Sequence, residues 1–373
     1  MNTATSISRR GFARVLGTSA AFAAFQPSVL QLITANSDAS TVVRLSSNEN
    51  PYGPSPAAIK AMTDGFSLAW RYPDEYEQPL VEGLAKLNGI SNNQVMIGAG
   101  SGEILKVAAV AFTGPARKLV LASPTFEAIA SHARTAQAEV IRIDLTPDYA
   151  HDLTRMLAVA NGAGLIYICN PNNPTATITP KDQIRAFLAK VPVETMVLID
   201  EAYHHYVESS AYESAIPLIK QYPNLIVART FSKVYGMAGL RCGYCITHPQ
   251  LIQRMRVHQT WDSVNIMALV AATASLQDTA HVEEGRRRNG EVRKYLYSEL
   301  DKSGFKYIPS HANFIMIDLR REVRPIIMAM RERKVEVGRV FQALPNFMRV
   351  TIGTRQQMET FVSVFREVMA GGK

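Results

Sequence analysis

Between about residue 95 and residue 247 the sequence repeats one pattern: a short run rich in Val, Ile and Leu, a turn, and a stretch compatible with a helix. Continuous apolar runs without alternation are typical of strands buried on both faces of a parallel sheet that helices cover. Seven such runs predict one large, mostly parallel sheet in an α/β fold. They are Val95–Ile97, Lys118–Leu121, Val140–Ile143, Leu165–Ile168, Met196–Ile199, Leu225–Ala228 and Gly243–Ile246.

A different mixture of elements follows this repeat. A charged helical segment, Glu283–Leu300, precedes two strand-like runs, Phe314–Ile317 and Met348–Ile352, and the last helical pattern covers Gln356–Met369. This mixture predicts a smaller α+β domain. We expect a large domain over residues 66–262 and a small domain composed of residues 40–65 and 275–373.

Composition and charge exclude several classes of protein. The 373 residues are 47% hydrophobic and 19% charged, which is typical of a folded globular chain. Three cysteines are too few for a disulfide scaffold. The net charge of +8 is scattered, without a long basic run, so we expect no nucleic-acid partner. A mildly basic surface suits small anionic substrates.

Residues 1–39 have the pattern of an export signal. Arg9 and Arg10 precede an apolar stretch, Val15–Phe25, and no acidic residue occurs before Asp38. Such a pattern is typical of the twin-arginine signal, with cleavage after Ala39. The alternative is an amphipathic N-terminal helix. We expect a periplasmic or exported protein without stable membrane association after processing, or a cytoplasmic one if the signal is not used.

Polar residues follow the apolar runs, at the edge of a parallel sheet where ligands bind. The segment Arg229–Lys233 (RTFSK) provides two hydroxyls and a lysine, and Arg241 follows it. Together they suit a phosphate and a carbonyl carbon held as a Schiff base. Asp200 ends another run and is placed to keep a ring nitrogen protonated. Gly98–Glu103 leads into a helix whose first N–H groups can bind a phosphate. Its spacing excludes the dinucleotide fingerprint, which requires glycine where Glu103 stands.

Together these segments resemble the fold-type I pyridoxal-phosphate-dependent aminotransferases of class I and II, in particular the histidinol-phosphate aminotransferase-like branch. Nine motifs occur in the family's order and cover about residues 41–373. They are Leu45–Pro56 (LSSNENPYGPSP), Arg71–Asp74, Gly98–Glu103, Ser123–Phe126, Cys169–Thr175 (CNPNNPT), Asp200–Tyr203 (DEAY), Thr230–Tyr244 (TFSKVYGMAGLRCGY), Ala312–Ile315 and Met348–Arg355 (MRVTIGTR).

The resemblance implies a fold-type I structure, pyridoxal 5′-phosphate as cofactor and roles for named residues. Lys233 would hold the cofactor as a Schiff base and then move a proton. Asp200 would pair with the ring nitrogen, and Tyr203 would hydrogen-bond the ring oxygen. Asn173 would also contact the ring oxygen, and Phe126 would stack on the ring face. The residues implied at the phosphate are Ser101, Gly102, Thr230, Ser232 and Arg241. Tyr72 would reach the same phosphate from the neighbouring subunit of a homodimer.

The implied substrate contacts are less specific. Arg349 would bind the α-carboxylate with two parallel hydrogen bonds. Arg339 loosely matches the arginine that receives the phosphate of histidinol phosphate, and Tyr52 and Asn313 lie in segments near the same pocket. The alternatives are an aromatic amino acid with Arg339 turned aside, or an exposed Arg339 without a substrate role.

The implied activity is transfer of an amino group between an amino acid or amine, histidinol phosphate-like or aromatic, and a 2-oxo acid. On the same scaffold, a decarboxylase of the threonine-phosphate type or a lyase is an alternative, since the pocket orients which bond breaks. A non-catalytic binding protein is a third. The presence of Lys233 and Asp200 argues against a non-catalytic binding protein, because a protein without this chemistry needs neither residue.

The sequence departs from the family pattern at three places. Ala176 stands where a glycine is usual, so we expect the turn to avoid a positive φ there. Phe126 stands where tyrosine is common, and phenylalanine preserves the stacking. The stretch Trp261–Asn265 stands where we expect a proline-containing stretch that lines the substrate pocket. The family pattern therefore does not predict which substrate this chain prefers.

Two short motifs suggest other chemistry. Cys242 and Cys245 fit the C-x-x-C spacing of redox sites, but they lie in a predicted buried strand and suit packing there. His204 and His205 could suggest a metal, yet we expect adjacent side chains to point apart, and no third ligand has a suitable spacing. We therefore expect no metal site.

Overall fold

The structure is a computed structural model that describes residues 42–371. The predicted export signal, residues 1–39, lies outside the described residues. Residues 44–371 belong to one compact unit. The predicted boundaries between a large and a small domain fall inside this unit and stay a prediction. In the described part of the chain, no helix is both long and apolar enough to span a membrane.

Between Val95 and Asp200, strands and α-helices alternate along the chain, as the apolar runs predict. The strands are β1 (Val43–Leu45), β2 (Val95–Gly98), β3 (Lys118–Ser123), β4 (Val140–Asp144), β5 (Ala163–Cys169), β6 (Met196–Asp200), β7 (Leu225–Thr230), β8 (Gly243–Thr247), β9 (Lys306–Ile308), β10 (Phe314–Asp318), β11 (Val335–Val337) and β12 (Phe347–Thr351). The α-helices are α1 (Pro56–Gly65), α2 (Asp74–Asn88), α3 (Ser101–Phe112), α4 (Ala128–Thr135), α5 (Leu153–Ala158), α6 (Lys181–Leu188), α7 (Pro249–Arg256), α8 (Ile266–Gln277), α9 (Thr279–Lys302), α10 (Val323–Glu332) and α11 (Arg355–Met369).

All seven predicted strands form one sheet, in the order β2-β8-β7-β6-β5-β3-β4. Neighbouring strands from β7 to β4 run parallel, whereas β8 is antiparallel to both β7 and β2. Every residue of β5, β6 and β7 is buried. Burial on both faces explains why these strands consist of continuous apolar runs. The predicted α/β fold with a mostly parallel sheet is confirmed.

A three-stranded antiparallel sheet, in the order β12-β10-β9, contains the two strand-like runs predicted after the charged helix. Phe314 pairs with Thr351 and Met316 pairs with Arg349. Helix α11 packs on α9 and α10, and α10 also contacts β12. Thr354 begins α11 with a capping box, because its hydroxyl accepts from the Gln357 amide and the Gln357 side chain accepts from the Thr354 amide. This small sheet carries Arg349 toward the end of the large one.

Candidate active site

The carboxyl ends of β5, β6 and β7 meet at one edge of the large sheet. Cys169, the last residue of β5, is the register partner of Asp200, the last residue of β6. Thr230 ends β7. A cavity of about 400 Å³ opens at this edge. It is lined by Ser47, Asn48, Glu49, Ser101, Gly102, Thr125, Phe126, Cys169, Asn173, Asp200, Ala202, Tyr203, Thr230, Ser232, Lys233, Ala238, Arg241, Arg339, Phe341 and Arg349.

Asp200 presents a buried carboxylate to this cavity. Its Oδ2 accepts a hydrogen bond from the Tyr167 hydroxyl at 2.9 Å, and its Oδ1 accepts one from the Ala202 amide at 3.1 Å. Burial raises the pKa of the Asp200 carboxyl to about 6, and these two hydrogen bonds oppose the rise. A buried carboxylate oriented by two hydrogen bonds can pair with a cationic ring nitrogen.

Tyr203 and Asn173 lie together on the wall next to Asp200. The Tyr203 hydroxyl accepts from Asn48 Nδ2 at 3.0 Å and from Asn173 Nδ2 at 3.5 Å. The Tyr203 ring packs edge-on against Phe314, with 5.0 Å between the ring centroids. Burial raises the pKa of Tyr203, so its hydroxyl keeps its proton and can donate it to an oxygen in the cavity.

Lys233 follows β7 and directs its amine into the cavity. Its Nζ donates to the carbonyl of Asn48 at 3.1 Å and lies 5.4 Å from the centroid of the Tyr203 ring. Burial, and next the positive charge of Arg349, lower the pKa of Lys233 to about 8. A lysine with a lowered pKa is partly neutral near pH 7 to 8 and can act as a nucleophile or a base.

A polar cluster in the cavity wall, called the cradle below, is formed by Ser101, Gly102, Thr230, Ser232 and Arg241. Helix α3 begins at Ser101, directly after Gly100, whose φ of 78° places it in the left-handed region. The guanidinium of Arg241 lies against Gly100 and donates to the Ser232 hydroxyl at 3.4 Å. The Thr230 hydroxyl donates to the Ser232 oxygen at 2.9 Å. Hydroxyls, a guanidinium and a helix N-terminus together suit a phosphate.

Gly243 makes the close approach of α3 possible. A Cβ at this position would collide with the Ser101 amide nitrogen and would lie 2.6 Å from the Gly100 carbonyl carbon. The start of β8 therefore accepts only glycine next to the first turn of α3. This contact fixes the N-terminus of α3 beside the end of β7.

Two arginines lie close together in the cavity wall, next to Phe341. Arg349 donates to Asn173 Oδ1 at 2.8 Å and to the Ser46 carbonyl at 2.7 Å, and its buried Nε has no hydrogen-bond partner among residues 42–371. Arg339 is more exposed and lies 3.6 Å from a carboxylate oxygen of Glu127. Both guanidinium carbons lie over the Phe341 ring, at 4.5 Å for Arg339 and 5.3 Å for Arg349. Burial lowers the pKa of Arg349, and the charge of Arg339 acts in the same direction.

All but three of the predicted site residues line this cavity; the exceptions are Tyr52, Tyr72 and Asn313. Tyr52 lies under the guanidinium of Arg288, with 4.7 Å between the Arg288 Cζ and the ring centroid. Tyr72 is 77% exposed. Asn313 is buried and donates to the Asn48 carbonyl at 3.1 Å, so it supports the segment that binds Lys233. The functional roles of all these residues stay predictions.

Two of the departures from the family pattern behave differently from the prediction. Ala176 has a φ of 61°, so the expectation that an alanine would make this turn avoid the left-handed region is wrong. The backbone is fixed there because the Ala176 amide donates to the Asn172 carbonyl and its carbonyl accepts from the His311 amide. The stretch 261–265 contributes no residue to the cavity within the described chain. Instead Ser263 donates to Glu103 at 2.6 Å, and Trp261 is 90% exposed.

The two short motifs, both within the described residues, contribute no residue to the cavity. Cys242 and Cys245 are buried and free. His204 and His205 do not point apart, because they lie in a 3-10 turn, His204–Tyr206, where their ring centroids are 3.7 Å apart. Residues 42–371 contain no group of three or more His, Cys, Asp or Glu side chains that could hold a metal ion.

The structure adds residues that the sequence patterns did not indicate. Asn48 joins Tyr203 and Lys233, Tyr167 supports Asp200, and Glu127 pairs with Arg339. Phe341 lies beneath both arginines. For Tyr167 the sequence does contain one indication. A tyrosine two residues before the end of an apolar run lies on the same strand face as the last residue of that run.

The residues present fit pyridoxal 5′-phosphate. A buried carboxylate, a lysine amine and a phenol face one cavity, and the cradle at α3 is placed for a phosphate. The exposed ring of Phe126 lies on the cavity wall and is available for stacking. This donor set matches the nitrogen, aldehyde, ring oxygen and phosphate of that cofactor.

Comparison with known proteins agrees with this chemistry. The family described as aminotransferase class I and II matches residues 40–365. A histidinol-phosphate aminotransferase from Moorella thermoacetica is 40% identical over 334 residues, which cover 88% of this chain and 86% of that protein. One from Brevibacillus brevis is 37% identical over 333 residues, 88% of this chain and 91% of that protein. The solved structure of histidinol-phosphate aminotransferase from Sinorhizobium meliloti in complex with pyridoxal-5′-phosphate shares the fold, with a TM-score of 0.83 at 24% identity over 94% of this chain and 98% of that chain. The chain therefore belongs to the class I and II aminotransferase family.

Proposed function

We propose that this aminotransferase takes its amino group from histidinol phosphate, or from an amine of the same chemistry, and passes it to a 2-oxo acid. The observation that carries the proposal is the pair Arg339 and Arg349, whose guanidinium groups lie over one ring, Phe341. Two cations at one end of a cavity favour a ligand with two negative charges. The relatives named histidinol-phosphate aminotransferase support this choice of donor.

The same pair of arginines suits both substrates of the reaction. Histidinol phosphate carries a phosphate dianion where an amino acid carries its α-carboxylate, so both guanidinium groups can bind one group. A dicarboxylic 2-oxo acid brings two carboxylates, one for each arginine. The two ligands therefore place similar charge at the same end of the cavity, although their remaining parts differ.

The cofactor pyridoxal 5′-phosphate supplies, when bound, an aldehyde that takes up the amino group and a ring that withdraws electrons. Lys233 would hold the aldehyde carbon, and Asp200 would hold the ring nitrogen. The ring oxygen would meet Tyr203 and Asn173. The phosphate would lie against the residues of the cradle, which are Ser101, Gly102, Thr230, Ser232 and Arg241.

The residues of the chain then orient the donor and move its proton. Arg349 binds the anion next to the amine-bearing carbon and so fixes which bond of that carbon faces Lys233. Burial lowers the pKa of Lys233 to about 8, which makes its amine a suitable proton acceptor near neutral pH. Tyr203 and Asn48 hold the wall on which this lysine lies.

Single half-reactions test the donor. Cofactor-loaded protein is mixed with histidinol phosphate, histidinol, histidine or phenylalanine, and the absorbance of the bound cofactor is followed. We expect kcat/KM for histidinol phosphate to exceed that for histidinol by about 100-fold, because hydrogen bonds between charged groups contribute about 1.5–3 kcal/mol each.

Two variants make this test specific for the second arginine. Arg339→Gln is expected to lower kcat/KM for histidinol phosphate by about tenfold or more and to leave histidinol unchanged. Arg142→Gln, which removes an exposed arginine on β4, is the matched control. A faster reaction with phenylalanine than with histidinol phosphate would contradict the proposal.

We also propose a homodimer in which Tyr72 completes the phosphate site of the neighbouring subunit. Tyr72 is 77% exposed in the single chain, and Trp70, two residues before it, is 75% exposed. Large exposed aromatic side chains are typical of interfaces. Light scattering gives the mass in solution. Mixing inactive Tyr72→Ala and Lys233→Ala proteins would restore part of the activity if each site uses both subunits, and no recovery would contradict the proposal.

Residues 1–39 support a further proposal, export through the twin-arginine route. The support is Arg9 and Arg10 before the apolar stretch. Changing both arginines to lysine is expected to retain the protein in the cytoplasm, as measured by cell fractionation. Unchanged export of this double variant would refute the assignment. Export would also place the enzyme away from cytoplasmic histidine synthesis.

A further inference from the structure

Tyr167 lies behind the Asp200 carboxylate and does not line the cavity. It is completely buried on β5, two residues before Cys169 and therefore on the same face of the strand. Because Cys169 is the register partner of Asp200 on β6, this face brings the Tyr167 hydroxyl to 2.9 Å from Asp200 Oδ2. Tyr167 thus contacts the carboxylate from within the protein.

Two hydrogen bonds fix the orientation of this carboxylate. Oδ2 accepts from Tyr167, and Oδ1 accepts from the Ala202 amide at 3.1 Å. Each carboxylate oxygen has two lone pairs, so each oxygen keeps one lone pair for a donor in the cavity. A hydrogen bond from a neutral hydroxyl also stabilises the anion more than the acid, because the protonated carboxyl is a weaker acceptor.

We propose that Tyr167 is a positioning residue that keeps the Asp200 carboxylate anionic and oriented, so that the proton it shares with the cofactor ring stays on the ring nitrogen. The inference rests on the proposed use of pyridoxal 5′-phosphate by this site and deepens it. A proton on the ring nitrogen increases the electron withdrawal that the reaction needs. A proton on the carboxylate decreases it.

The position of this proton is measured directly by nitrogen NMR. Pyridoxal 5′-phosphate labelled with ¹⁵N in the ring is bound to the wild-type protein, and the ¹⁵N chemical shift distinguishes a protonated from a neutral ring nitrogen. We expect a protonated ring in the wild type. In Tyr167→Phe the proton equilibrium is expected to move toward Asp200 by about tenfold, as one lost hydrogen bond to a charged group implies.

Three further proteins make the result specific. Tyr206→Phe removes the hydroxyl of another buried tyrosine and is expected to leave the wild-type signal unchanged. Asp200→Asn defines the signal without a carboxylate. If Tyr167→Phe fails to fold, 4-aminophenylalanine at position 167 keeps the shape with a weaker donor, and its signal is expected between those of the wild type and Asp200→Asn. Circular dichroism checks the fold of each variant.

The possible results separate the inference from the donor assignment. Wild-type signals in Tyr167→Phe and in the 4-aminophenylalanine protein would overturn the role of Tyr167. A neutral ring in the wild type would overturn the cofactor role of Asp200, and the inference with it. An incorrect amino donor would change neither signal, because the measurement contains no donor.

Discussion

The guanidinium of Arg241 lies so close to the α-carbon of Gly100 that a Cβ there would lie 2.9 Å from Arg241 Cζ and would collide with Nη2. We therefore expect Gly100→Ala to displace Arg241 and to strain a residue with a φ of 78°. Cofactor affinity, measured by titrating apoprotein with pyridoxal 5′-phosphate, is expected to fall by about tenfold or more. Gly239→Ala, in the short turn before Arg241 where a Cβ would meet no atom within 4 Å, is the control. Equal affinity for both variants would contradict this account of the cradle.

A buried ion pair lies directly beside the site. Arg229 Nη2 and Nε donate to Glu201 Oε2 at 2.9 and 3.0 Å, and only 1% of the Glu201 side chain is exposed. Arg229→Met leaves a buried carboxylate without its partner, so we expect the free energy of unfolding to fall by about 3–5 kcal/mol. Denaturant titration measures this change.

Two comparisons isolate the cause of that loss. Changing both Arg229 and Glu201 to methionine is expected to recover most of it, because no charge then remains buried. The exposed pair Arg185 and Glu213 provides the control, and Arg185→Met is expected to cost about 1 kcal/mol or less. Similar losses in Arg229→Met and Arg185→Met would show that burial of the pair is irrelevant.

The reactivity of Lys233 is expected to depend on pH with a midpoint near 8. Burial and the charge of Arg349 lower its pKa to about 8, and only the neutral amine is nucleophilic. Acetylation of the apoprotein, followed by mass spectrometry of the Lys233 peptide, gives the rate at each pH. Arg349→Gln removes the larger of the two positive charges that lower this pKa and is expected to move the midpoint upward, whereas Arg142→Gln is the control. A downward movement in Arg349→Gln would refute the electrostatic explanation.

His151 is expected to make the protein less stable in weak acid. Its Nε2 accepts from the Cys169 amide at 3.3 Å, and its Nδ1 bonds the Thr179 hydroxyl at 3.1 Å. Burial lowers the pKa of His151 to about 4, so between the unfolded value of 6.5 and pH 4 the unfolded chain takes up a proton that the folded chain does not.

Stability should therefore fall by about 3 kcal/mol as pH decreases through this window, at about 1.4 kcal/mol for each unit of pKa difference. His151→Gln removes the titrating group. The free energy of unfolding of this variant is expected to decrease less than that of the wild type over the same pH range. Parallel pH profiles for the wild type and the variant would contradict this assignment.

Glu127 is expected to weaken the binding of phosphorylated donors by competing for Arg339. The side chain of Arg339 is 62% exposed and that of Glu127 is 55% exposed, and 3.6 Å separates Arg339 Nη2 from Glu127 Oε2. Glu127→Gln is expected to lower KM for histidinol phosphate by about two- to fivefold, the range of an exposed ion pair, and to leave KM for histidinol unchanged. Glu359→Gln, which loses an exposed pair with Arg355, is the matched control. An equal effect on both donors would exclude competition for a phosphate ligand.

The large sheet could be predicted from the sequence because strands buried on both faces must be apolar throughout. The antiparallel direction of β8 could not be predicted, because a buried strand is apolar throughout whether it runs parallel or antiparallel to its neighbours. Asp200 and Thr230 were predictable because each ends such a run, and parallel strands bring their ends to one edge.

The rest of the site depends on contacts between distant parts of the chain. Asn48 meets Tyr203 and Lys233 only because the segment after β1 crosses the ends of the large sheet. Tyr167 lies inside an apolar run, where its spacing predicts only which strand face it shares, and its contact with Asp200 depends on the pairing of β5 with β6. The left-handed backbone of Ala176 is likewise held by hydrogen bonds, one to Asn172 in the same turn and one to the distant residue His311, which override the preference of alanine.

The contacts of Arg349 have a consequence for affinity. In the protein alone, its guanidinium is already aligned by Asn173 and the Ser46 carbonyl, while its Nε has no partner within residues 42–371. Immobilising a flexible side chain costs about 0.5–1.5 kcal/mol when it occurs on association. Here the side chain loses this entropy during folding, so the binding of an anion does not have to immobilise Arg349 again. More of the interaction energy between the anion and Arg349 therefore contributes to the binding free energy.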